Sequence, residues 1–187
     1  RGMMASAKSP TNFFIFSSAV KKDVISFLSG SGGGFLIASI IMPMETFQRV
    51  VEQYLALGHA EVDLTPIVGD PFVDRHLLER LDFLASRAEV KGFHFYTNAI
   101  LMKPDILERL VAYDGRFTIF CSFGGFDRKT YHRVMGVDKF DEAVANIRGL
   151  IDAKELKRSK ISIQVNLRAP KGSESGEFWD YLIRRER

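Results

Sequence analysis

Residues 90–125 read VKGFHFYTNAILMKPDILERLVAYDGRFTIFCSFGG, and this stretch decides the fold. Val90–Tyr96 alternates in strand fashion and ends at Thr97-Asn98. Pro104 opens a helix whose apolar side is Ile106, Leu107, Leu110 and Val111. Asp114-Gly115 closes it. Phe117, Ile119 and Cys121 then share one face of a second strand, which ends at Ser122-Phe123-Gly124-Gly125. A strand, a helix and a strand in this order require the two strands to be parallel, because a hairpin cannot span the crossover.

The same unit repeats on both sides. Upstream, Met44, Phe47, Val51 and Tyr54 recur at helical spacing after Pro43 and stop near Gly58. A strand is predicted over Glu61–Pro66, leading into Val68-Gly69-Asp70-Pro71. Asp74 is the expected cap of a helix with Leu77, Leu78, Leu81 and Leu84 on its apolar side. Downstream, a helical stretch is broken around Gly136 and resumes with Phe140, Val144, Ile147 and Ile151. Residues 161–168 read as a further strand, and Phe178, Tyr181 and Leu182 as the last helix. The expected class is α/β, a partial parallel (β/α) barrel and not a doubly wound sheet, since no Gly-x-Gly-x-x-Gly follows a strand. Ser162, Gln164, Asn166 and Arg168 give one strand a polar face. That pattern fits a wet lumen or an edge strand facing solvent.

Length and composition bound the rest. The 187 residues make one domain's worth of chain, 46% hydrophobic and 26% charged. One cysteine excludes a disulfide framework and any cluster held by several thiolates of this chain. The net charge of +3 is too small to imply nucleic-acid binding. That excess resides in residues 1–42, where Arg1, Lys8, Lys21 and Lys22 face Asp23 alone. The two expected parts are therefore this atypical Gly/Ser-rich segment, 1–42, and a regular part, 43–187. Residues 24–42 carry no charge, but Gly30, Gly32, Gly33 and Gly34 split them into short apolar runs, so neither a membrane span nor a signal peptide is expected. Phe35–Ile41 reads as a buried strand. The SGSGGG run lacks the Lys-Ser/Thr that follows a phosphate loop, so it reads as a connector.

Ligands of parallel α/β folds bind at the carboxyl ends of the strands. Here those ends carry Gly69 and Asp70, then Thr97 and Asn98, then Ser122 with Gly124 and Gly125, then Asn166 and Arg168. An acid, an amide, a hydroxyl and a guanidinium on one rim suit a zwitterionic, ribose-bearing ligand. The four histidines have no metal spacing. His94 alternates with Phe93 and Phe95, which allows it either to face the lumen or to serve as a structural residue. Phe123 and Phe126 stand beside the glycine pair, where they would line a pocket.

At these residues the sequence resembles a known family. The runs VDLTPIVGDPFVD, FYTNAILM and FTIFCSFGGFDRKTYHRVMGVDKFDEAVANI are similar to the core of radical S-adenosylmethionine (SAM) enzymes, in the branch that carries a SPASM-type extension and often acts on peptides or proteins. The resemblance covers about residues 43–168. It implies a partial or full (β/α) barrel that binds SAM. It implies that Gly69 and Asp70 receive the methionine amino group, that Ser122 contacts ribose, that Asn98 lies on a Thr-Asn-Gly element with Ala99 in place of glycine, and that Arg168 approaches the cofactor. The expected partners are this small molecule and a peptide or protein substrate, in the cytoplasm.

The departures are as informative. The family's Cys-x-x-x-Cys-x-x-Cys, which holds a [4Fe–4S] cluster, is replaced by the Gly/Ser-rich residues 26–42. Asp70 replaces the commoner Glu, and Met135 stands where many members have Arg. The family's sixth strand and cluster-bearing extension would lie beyond Arg187. The expectation is a fragment or degenerate relative that performs no radical chemistry as written, with no catalytic or metal residue to assign. Two other readings stay open. One is a non-catalytic domain that binds SAM or a partner. The other is a cluster-independent barrel enzyme using Asp70 as acid–base and Arg168 for an anionic substrate.

Overall fold

The computed structural model describes residues 41–66, 69–170, 172 and 174–185. The strand expected at Phe35–Ile41 lies outside them apart from Ile41, as does the Gly/Ser-rich run.

Helix α1 spans Met44–Ala56 and buries Phe47, Val51 and Tyr54, the side its spacing predicts. Gly58, at φ +88°, turns the chain out of it. His59 stacks on Tyr54 at 4.4 Å. The Tyr54 hydroxyl donates to the Glu61 carbonyl at 3.0 Å, which ties α1 to strand β1, Glu61–Asp63. A short 3₁₀ turn, Pro71–Val73, precedes α2, Leu77–Ser86. Next come β2, Gly92–Thr97, and α3, Pro104–Leu110. Strand β3 is Phe117–Phe123. Helices α4, Arg128–Met135, and α5, Phe140–Lys157, are separated by Gly136 in the left-handed region, where the sequence places the break. Strand β4, Ser162–Leu167, and α6, Glu177–Arg185, complete the order.

The strands form one parallel sheet in the order β1-β2-β3-β4. This is the expected α/β architecture of a partial barrel. Its covered side is apolar: Val62, Phe93, Phe95, Phe117, Ile119, Cys121 and Phe123 are each 1% exposed or less. Phe123 is the hub at one end, meeting Tyr131 of α4, Phe140 of α5 and Phe178 of α6. Burying each such side chain contributes about 1.5–3 kcal/mol. Among the described residues no helix is long and apolar enough to cross a membrane.

Three expectations need correction. The strand predicted over Glu61–Pro66 ends at Asp63, because side chains take over from the ladder. Asp63 Oδ1 accepts from the Thr65 backbone N–H at 2.7 Å, and Thr65 Oγ1 accepts from the Tyr96 N–H at 2.9 Å. Asp74 caps the turn before α2 by accepting from the His76 N–H at 2.8 Å, so the helix begins three residues later, at Leu77. Its other oxygen binds the buried guanidinium of Arg80 at 2.7 Å. Phe123 lines no pocket; it is fully buried.

Candidate functional site at the carboxyl rim

The rim is built from the residues just beyond each strand. After β1, Gly69 takes φ +98°, and a Cβ there would meet no atom of the described residues within 4 Å, so among these residues the backbone stands open. Asp70 comes next, its side chain turned inward and 7% of its surface exposed. One carboxylate oxygen accepts from the Phe72 N–H at 3.1 Å and so caps the 3₁₀ turn. The other accepts from the Thr97 hydroxyl at 2.8 Å and the Asn98 N–H at 3.0 Å. Asp70 is therefore a clamp between the first two strand tips. Removing it would strand a buried hydroxyl and two backbone donors.

After β2 the chain makes a left-handed turn at Ala99, φ +61° and fully buried. An alanine in that conformation costs about 1 kcal/mol relative to glycine. Four hydrogen bonds offset this. Asn98 Oδ1 accepts from the Ile100 N–H, and Thr97 Oγ1 accepts from the Ala99 N–H, both at 2.9 Å. Asn146 of α5 donates its amide to the carbonyls of Ala99, at 2.7 Å, and Ile100, at 3.2 Å. Asn146 is a residue that the sequence reading missed. Its polar side chain on an otherwise apolar helix face was the available signal.

At the third and fourth tips, Ser122 lies beside Asn166 in the ladder. Arg168 donates to the Ser122 hydroxyl at 3.0 Å, and its own backbone N–H binds the Phe123 carbonyl at 2.8 Å. Gly124 and Gly125, expected to admit a ligand, instead admit α4. A Cβ on Gly124 would collide with Met135, and one on Gly125 would stand 2.6 Å from Thr130. Gly69, Asp70, Asn98, Ser122 and Arg168 thus gather on one end of the sheet, with the half-buried Ser122 and the exposed Arg168 already in mutual contact.

The inner face below this rim is polar and aromatic. His94 and Tyr96 of β2 point the same way as Thr118, Phe120 and Ser122 of β3 and Ser162, Gln164 and Asn166 of β4, and Asn98 follows β2 by one residue. Tyr96 stacks on Phe120 at 4.4 Å. The polar side of β4 continues this face, although β4 is also an edge of the sheet among the described residues.

A four-iron cluster does not fit these residues. Cys121 is the one cysteine of the sequence, and it is fully buried on the helix-covered side. Burial, with the negative charge of Asp70 adding to it, pushes its thiol up to about 12, so it offers no thiolate. Among the described residues no group of three or more His, Cys, Asp or Glu side chains is placed to hold a metal ion.

Comparison with known proteins bears on the fold. No family model matches the chain. It is 26% identical over 122 residues to the GTP 3',8-cyclase of Pasteurella multocida (strain Pm70), a match that covers 65% of this chain. The chain spans about a third, 34%, of the length of that relative. The fold resembles native anSMEcpe with bound AdoMet, with a TM-score of 0.52 at 17% identity over 68% of this chain and 34% of that one. It also resembles native anSMEcpe with bound AdoMet and Cp18Cys peptide, with a TM-score of 0.51 at 17% identity over 68% and 35%. The resemblance read from the sequence holds at the level of the fold: the chain has a partial parallel (β/α) barrel similar to the core of radical SAM enzymes, without that family's cluster motif.

Proposed function

We propose that the carboxyl rim of this chain binds S-adenosylmethionine, and that the 187 residues do not cleave it. The contact of Arg168 with Ser122, beside the open backbone of Gly69, carries the reading. The Arg168 guanidinium suits the cofactor's carboxylate, and the Ser122 hydroxyl with the Asn98 amide suits its ribose. Gly69 lets the methionine end approach the backbone closely. Asp70, its oxygens already engaged, supplies negative charge toward the ammonium and holds Asn98 in position. In a radical SAM enzyme the cofactor receives an electron from a [4Fe–4S] cluster. With one buried cysteine, no step through a cluster is assigned to this chain. A peptide is the substrate class proposed for the inner face, in keeping with the fold shared with anSMEcpe, solved with a peptide.

Calorimetric titration with SAM tests this. Saturable one-to-one binding is expected, weakened about tenfold by Arg168→Ala, a loss of about 1.4 kcal/mol. No heat and no SAM-dependent shift in melting temperature at millimolar cofactor would reject the rim as the site. Binding without turnover in the presence of a reductant agrees with the proposal. The alternative of a cluster-independent enzyme would show as turnover of a substrate without SAM, abolished by Asp70→Asn.

A further inference from the structure

The inner wall of the barrel carries a second group of reactive residues, away from the rim. His94 of β2 lies four residues before Asn98, about 13 Å along the chain direction. Its Nε2 stands 3.5 Å from Asp63 Oδ2 on β1. The Asp63 side chain is 6% exposed, and that of His94 22%. Asp63 is fixed from behind by the Thr65 N–H on its other oxygen. His94 is fixed from the sides, edge-on to Tyr96 at 6.1 Å and to Phe120 at 5.4 Å. Among the described residues nothing hydrogen-bonds its Nδ1. From β1, Asp63 is the charged group that faces the imidazole; β2 contributes Tyr96, and β3 contributes Thr118 and Phe120.

This is the arrangement of an oriented base. A buried carboxylate oxygen 3.5 Å from Nε2 favours the tautomer with the proton on that nitrogen and leaves Nδ1 as an acceptor. A purely structural histidine would have both nitrogens engaged or its ring sealed in the core. Burial alone would favour neutral Asp63, but the hydrogen bonds with His94 and Thr65 prevail and hold its carboxyl below the usual range. We propose that Asp63 and His94 form a proton-transfer site on the inner wall, serving a ligand that lies over the Tyr96–Phe120 pair and presents an O–H or N–H to His94. The ligand's proton moves to His94 Nδ1, its electron pair stays on the ligand, and the imidazolium is balanced by Asp63. The reverse step returns the proton. Histidine carries the proton and Asp63 positions it.

The proposal stands apart from SAM binding, so its test uses the full chain without cofactor. Nitrogen-15 labelling of histidine reads the tautomer directly. His94 should appear in the Nε2–H form. Asp63→Asn should mix the two tautomers, since the carboxylate that favours the Nε2–H form is gone. Asparagine keeps an oxygen for Thr65, so the turn survives. Diethyl pyrocarbonate, followed by peptide mass spectrometry, reads access to the free nitrogen. His94 should be acylated in the folded chain, within about tenfold of the rate at His76, and Phe120→Ala should raise that rate. An Nδ1–H tautomer, an unchanged tautomer in Asp63→Asn, or a His94 acylated only in urea would each overturn the site. Loss of SAM binding with these three results intact would count against the rim alone.

Discussion

The two faces of the same sheet obey different rules. On the covered face Phe93, Phe95, Phe117, Ile119, Cys121 and Phe123 are sealed in the apolar core. On the inner face the alternating residues, His94, Tyr96 and Asn98 with Thr118, Phe120 and Ser122, are only half-buried. A period of two puts both sets on the same strands, one residue apart. The covered face holds the strands in place. The inner face and its rim keep polar groups at the surface, where a ligand can reach them.

Substitutions should separate the two faces, beginning with the largest effect. Phe123→Ala removes the hub between α4, α5 and α6 and should cost about 3–5 kcal/mol in urea denaturation. A cost under about 1 kcal/mol would mean that this face is not the structural one. Asp70→Ala should cost about 2–3 kcal/mol, because the Thr97 hydroxyl and the Asn98 N–H lose their acceptor. Asp70→Asn, which keeps one acceptor oxygen, should recover part of it. Phe120→Ala, one residue from Cys121 but on the inner face, should cost about 1 kcal/mol. Arg168→Ala should leave stability within about 0.5 kcal/mol while weakening SAM. If it unfolds the chain instead, the rim is structural and the contrast between the faces fails.

Acid sharpens the same contrast. The carboxyl of Asp63 sits below its ordinary value in the folded chain, so it stabilises the fold at pH above the usual carboxylate range. That contribution fades as the pH falls through the depressed value. Asp63→Asn should therefore flatten the acid limb of the stability curve measured by urea titration. Cys121, pushed up to about 12, should resist thiol reagents until the sheet unfolds.

Much of the fold was legible before the structure. The helix of Met44–Ala56 and the break at Gly136 come from local signals: periodic apolar residues, and a glycine where the backbone must turn left-handed. The rim residues were legible as a set because parallel strands bring their carboxyl ends to one side. Their roles were less so. Asp70 reads as a ligand in sequence, yet it binds Thr97, which is 27 positions away. Gly124 and Gly125 read as room for a ligand, yet Met135 and Thr130 take that room. Glu61–Pro66 reads as one strand, yet the carboxylate of Asp63 captures the backbone of Thr65.

By itself the sequence determined the order of strands and helices, their parallel sense and the absence of a thiolate set. These depend on periodicity, crossover length and composition, which are local or countable. Only the tertiary structure decided which polar residues face one another: Asp70 with Thr97, Arg168 with Ser122, Asp63 with His94. Each pair joins neighbouring strands that are far apart in the chain, and strand register, a property of the assembled sheet, sets their meeting.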